Sequence, residues 1–371
     1  MKNSLIQRDS APKYILIMVV SFAATVVLTR YYLELTGYPQ IGGGELHIAH
    51  LLWGGLALFI ASLLPLIFAN RRGYDWTAVL SGVGIGLFID EVGKFITQSN
   101  DYFYPVAAPI IYGVFLLTVL LYFELRRRAN DSPRARFYAV LDQLPVVVDQ
   151  NITPEELSRL TGELQQIAAQ QSNPTLAKLS SSLLDFFNAE HLNVVQKSPG
   201  WWKRLWTNSR AVWRKYVTRG WHRLLLVLGL AVPELLSLVE LALLLVIVLF
   251  PAQVAQLWAQ FIFTSGELDS LNDLTWFAIR FWLDGLSGLL AITGAVLLLV
   301  RKERLGVSLG IMALVLSLTV NNLLNLYQDQ FEALTYTLVQ GVVLLLAVTY
   351  RRWYLDDPAA EPAPASQPVD G

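Results

Sequence analysis

The chain carries eight apolar runs of membrane-spanning length, at about residues 14–33, 47–69, 77–98, 105–126, 223–250, 274–300, 305–326 and 331–350. A hydrocarbon core of roughly 30 Å takes about 20 residues of helix to cross. Inside it, every backbone N–H and C=O must find its partner within the protein. Such runs predict an all-α integral membrane protein with eight transmembrane helices. Composition agrees, because 54% of the 371 residues are hydrophobic and 15% are charged, against about 25% charged in soluble domains. The absence of cysteine excludes disulfides, iron–sulfur clusters, thiolate metal sites and cysteine nucleophiles. A net charge of −1 provides no global field to recruit nucleic acid.

The segments between the runs sort by charge. One set holds Lys2, Arg8 and Lys13, then Arg71 and Arg72, Arg126 to Arg128, Arg301, Lys302 and Arg304, and Arg351 with Arg352. The other holds Glu34, Glu45, Asp101, Glu267, Asp269, Asp329 and Glu332, with Arg30 as its one basic exception. Basic loops face the cytoplasm, which predicts a multi-pass protein of the cell (inner) membrane with both termini cytoplasmic.

An internal duplication is also legible. "HLLWGGLALFIASLLPLIFANRR" (50–72) lies over "RFWLDGLSGLLAITGAVLLLVRK" (280–302) without a gap, matching Gly55 to Gly285, Ala61 to Ala291 and basic pair to basic pair. One inserted residue then brings Asp90, Glu91 and Lys94 onto Asn321, Asn322 and Asn325. The halves, 1–126 and 222–352, would be parallel four-helix repeats about an axis along the membrane normal.

Between them, residues 127–221 predict a small cytoplasmic helical insert. "NITPEELSRLTGELQQIAAQ" opens a helix with Thr153 as N-cap, Pro154 at the first helical position and Glu155–Glu156 in the first turn. "WWKRLWTNSRAVWRKYVTRGWHR" (201–223) combines tryptophans with Lys and Arg and contains no acid. That pattern suits an interfacial helix on anionic lipid headgroups rather than a nucleic-acid surface. The Pro/Ala-rich tail, 353–371, is expected to be disordered.

Charges inside a span cost roughly 2.5–3.5 kcal/mol each and mark candidate sites. Asp90, Glu91 and Lys94 fall in the third run, near the depth of His47 and His50 at the start of the second. Gly82, Gly86 and Asp90 recur every four residues, and Gly54–Gly55 thin the second run, so these two helices are expected to pack closely. Three functions follow. His47, His50 and Asp90 could ligate a divalent metal (zinc, iron or manganese), with Glu91 as the catalytic proton shuttle of a membrane-embedded hydrolase. A proton- or cation-coupled transporter would instead use Lys94, Glu240, Arg280, Asp284, Asn321, Asn322 and Asn325 to bind an unidentified small molecule or ion. Glu240 is a mid-span carboxylate beyond Pro233. The third function is a non-catalytic scaffold, its polar cluster a structural ion-pair network.

Overall fold

The computed structural model describes residues 5–37, 49–99, 101–102, 104–127, 132–149, 152–169, 173–189, 217–249, 271–328 and 330–356. Every element among them is helical. Six helices are long and apolar enough to cross a membrane: Ala11–Thr36, His50–Ile67, Ala107–Arg127, Ile279–Leu299, Glu303–Tyr327 and Ala333–Asp356. Large apolar side chains such as Leu52, Phe59, Leu117, Leu289 and Leu345 stand exposed on them, as lipid-facing positions would. The expected third and fifth spans are not among the six. Arg71, Arg72 and Asp75 open the third helix and the chain leaves its helical path at Asp90. The fifth, Arg219–Leu249, includes side chains outside the described set.

The chain divides into two compact units, Met1–Phe103 with Ile111–Thr207, and Tyr104–Ile110 with Asn208–Gly371. In the first unit, α1 (Ala11–Thr36) and α2 (His50–Ile67) both pack against α3 (Arg71–Ile89). Asn70 caps α3, its side chain accepting from the Gly73 amide at 3.3 Å. Glycines on opposite faces of α3 let both neighbours come close. A Cβ at Gly82 would lie 2.3 Å from the Met18 carbonyl of α1, and one at Gly84 would lie 2.9 Å from the Gly54 carbonyl of α2. The stripe through Gly82 and Gly86 therefore lies against α1, not α2. Gly54 makes the α2 contact, while a Cβ at Gly55 would meet nothing. After the turn at Asp90–Glu91, α4 (Val92–Ile96) continues the path, and α5 (Ala107–Arg127) follows.

The insert is helical, as expected: α6 (Pro133–Leu141), α7 (Leu144–Val148), α8 (Pro154–Ala168) and α9 (Pro174–Ala189). Thr153 forms a full capping box with Glu156. Phe137, Val140, Leu160, Leu164, Ile167 and Phe187 form a shared core. The basic Trp-rich segment up to residue 216 lies outside the described residues.

In the second unit α10 (Arg219–Leu249) packs along α11 (Leu271–Leu299), and α11 along α12 (Glu303–Leu316). Gly294 faces Gly306 and Gly310 at backbone contact distance. A π-helical turn, Ser317–Asn321, leads into α13 (Asn322–Gln328), and α14 (Gln330–Tyr350) packs back on α12. The two units differ in packing order, since α1 leans on α3 whereas α10 leans on α11. The chain that was expected to be disordered from 353 continues instead as a π-helical turn, Arg351–Asp356; residues 357–371 lie outside the described set.

Candidate functional site

Asp90 and Glu91 are both fully buried at the turn that ends α3. Asp90 continues the face of Gly82 and Gly86, so it points at α1 and meets Arg30 there. The Arg30 Nε donates to Asp90 Oδ1 at 2.6 Å, and Arg30 itself is 4% exposed. The Tyr102 hydroxyl donates to the other carboxylate oxygen. Glu91 faces the N-terminus of α2, where its Oε2 accepts the Leu51 amide at 2.9 Å. An anion at a helix N-terminus is favoured by the free amides and the dipole. Lys94 Nζ reaches Glu91 Oε1 at 2.5 Å from the next turn. His50 stands between the acids, with Nε2 3.4 Å from Asp90 Oδ2 and Nδ1 3.8 Å from Glu91 Oε2.

This group contains two acids and two permanent bases, so it is neutral before His50 is counted. Of the residues expected here, His50, Asp90, Glu91 and Lys94 converge; His47 lies outside the described residues. Among the described residues no three His, Cys, Asp or Glu side chains are arranged to hold a metal. Arg30 and Tyr102 were missed by sequence reasoning. Arg30 had a signal, being the one basic residue on the acidic side of the chain; Tyr102 had none.

The second unit builds a different cluster. Asp284 and Ser287 lie on one face of α11, and Arg280 Nε sits 3.5 Å from Asp284 Oδ2. Asn321 donates through Nδ2 to Ser287 Oγ at 2.7 Å and to the Leu283 carbonyl at 3.3 Å. Asn321 and Asn325 both lie within hydrogen-bonding reach of Asp284. Asn322 turns away to α14, donating to Thr337 Oγ1 and Gln340 Oε1 at 2.8 Å each.

Glu234, 5% exposed on α10, completes the cluster. Its Oε2 would lie 3.3 Å from a Cβ at Gly288, one helical turn beyond Asp284. Tyr336 donates to its Oε1 at 3.0 Å, and Asp284 is close enough to act on it electrostatically. The sequence reading had selected Glu240 on this helix, whose side chain lies outside the described residues. Glu234 directly succeeds Pro233, which frees backbone at that depth.

Charge does not balance here. Arg280 is the single basic residue between Arg223 and Arg301, and none occurs from 305 to 350. Arg280 approaches Asp284, while Glu234 has the Tyr336 hydroxyl and no base as its partner among the described residues. Two amide oxygens beside Asp284, Asn321 Oδ1 and Asn325 Oδ1, and that of Asn322 toward α14, are buried without accepting a hydrogen bond among the described residues. Buried polar atoms are rarely left so. An all-oxygen set with one surplus negative charge suits a proton or a hard cation. No protein-family description, curated protein or solved structure matches this chain.

Proposed function

We propose that the chain is a proton- or cation-coupled membrane transporter whose working site is the Glu234–Asp284 cluster of its second unit. The observation that carries this reading is the charge count. A buried carboxylate, Glu234, and a partly buried one, Asp284, lie together with one arginine, which pairs with Asp284, and with unsatisfied amide oxygens nearby. Glu234 lies about 16 Å along the helix from Arg223, which is near the middle of a roughly 30 Å core. A carboxylate there is a functional candidate by default. The Asp90–Glu91 cluster serves as a structural ion-pair clamp in this scheme.

The same reading keeps eight spans in two related halves, with basic loops and both termini in the cytoplasm of a cell (inner) membrane. Two features support the relation. Ala61 and Ala291, aligned by sequence, are each 2% exposed. Regular α-helix is also interrupted at aligned places, at Asp90–Glu91 and at Ser317–Asn321. A divalent metal at His47, His50 and Asp90, with Glu91 as proton shuttle, is the rival; His50's approach to both acids favours it. Zinc, iron and manganese all near zero in the purified protein would remove it.

Proteoliposomes loaded with a pH-sensitive or cation-sensitive dye test transport. Imposed proton, sodium and potassium gradients should collapse faster with the protein present, for at least one of the three. Glu234→Gln should reduce that flux at least tenfold. Wild-type protein that passes none of these ions, or a Glu234→Gln variant as active as wild type, would overturn the assignment.

A further inference from the structure

A cavity of about 290 Å³ opens where the insert meets the ends of two spans in the first unit. Pro12, in the first turn of α1, and Leu125 and Arg126, at the end of α5, supply one wall. Residues of α6 and α8 supply the other. Gln7 holds the N-terminal segment in place by donating to the Leu125 carbonyl at 2.8 Å. Because both spans end here, the cavity sits at the level of a bilayer's headgroups.

Its lining is rich in arginine: Arg8, Arg126, Arg136 and Arg159 all border it. Against them stand Asp9 and Glu163 in the lining, and Asp142, 3.4 Å from Arg8. Four bases and three acids leave one net positive charge. Arg159 makes no ion pair among the described residues. Gln143, only 7% exposed, borders the cavity, and its side-chain amide makes no hydrogen bond among the described residues. The amide of a side chain so placed is a donor available to an anion's oxygens.

We infer that this cavity binds a phosphate group, most naturally the singly charged phosphodiester of an anionic lipid headgroup. One surplus positive charge matches one phosphodiester. Guanidinium forks fit phosphate oxygens in pairs, and the volume admits a headgroup. Basic pockets on the cytoplasmic side of spans are a known mode of lipid-headgroup capture. The site is separate from the Glu234–Asp284 cluster and does not depend on its function.

Full-length protein in detergent, titrated calorimetrically with dihexanoylphosphatidylglycerol, tests it; dihexanoylphosphatidylcholine and inorganic phosphate serve as parallel arms. Saturable binding of the anionic lipid is expected, weaker for the zwitterionic one. Each arginine removed should cost about fivefold in affinity, so Arg126→Gln with Arg159→Gln should cost at least tenfold. Both side chains are exposed, and an unchanged melting temperature without ligand confirms the fold; Arg159→Gln alone is the milder variant. Lys178→Gln, a basic change elsewhere on the insert, should leave affinity unaltered. The same pattern with inorganic phosphate alone identifies free phosphate as the source of the same chemistry. No saturable binding in any arm, or equal binding by the double variant and wild type, would overturn the site.

Discussion

Asp90 shows how this chain meets the cost of burying a charge at a helix end. Its two oxygens are taken by the Arg30 guanidinium and the Tyr102 hydroxyl, and Glu91 beside it takes Lys94 and a backbone amide. Removing one partner of a buried pair costs about 3–5 kcal/mol, because the other charge is stranded. Arg30→Met should therefore lower unfolding stability by that order in a detergent melt. Glu91 keeps the Leu51 amide and His50 beside it when Lys94 is removed, so Lys94→Met should cost less, about 1–2 kcal/mol. Equal losses for the two variants would contradict the arrangement. The acids were legible in the sequence because they break an apolar run. Arg30 was visible only as an exception to the charge pattern, and nothing in a sequence says which helix face an exception joins. Glu234 lies on the same long helix as Glu240, and only packing shows that it reaches Gly288 and Tyr336.

Among the helices, α3 is the element on which the first unit is built. Its glycines alternate between partners, with Gly82 and Gly86 on α1 and Gly84 on α2. Spacing of four predicted one smooth stripe, which is present, but two neighbours compete for α3 and the stripe went to α1. Gly82→Ala places a methyl 2.3 Å from a backbone carbonyl that has no rotamer to yield. It should destabilise by about 1–3 kcal/mol, whereas Gly55→Ala, with nothing within 4 Å, should be neutral or gain up to about 1 kcal/mol in helix propensity. Thermal melts of the two variants side by side check this, and a neutral Gly82→Ala would show that α1 and α3 are not in contact. The start of α8 was fully legible, since Thr153, Pro154 and Glu156 carry their capping chemistry in adjacent residues. The end of α3 was not: an apolar run conceals a turn whose only mark is the Asp90–Glu91 pair.

At the scale of the whole molecule, the informative contrast is between the two clusters' charge counts. The first unit closes its account with two acids and two bases. The second pairs Asp284 with Arg280 and leaves Glu234 with no base beside it among the described residues. A helical membrane protein was legible from run length, because only helices satisfy backbone groups in lipid. The imbalance was partly legible too, as the scarcity of Lys and Arg after Arg223, but not its location, which needs α10, α11 and α14 brought together. A hydrophobic carbodiimide reacts with protonated carboxyl groups in apolar surroundings and spares those held in ion pairs. Mass spectrometry of protein so treated, in buffer depleted of metal cations, therefore reads the contrast directly. Modification should appear at Glu234 and be slowed by the cation the site prefers, while Asp90 and Glu91 stay unmodified. Label on Asp90 or Glu91 at the same rate, with Glu234 untouched, would contradict the account.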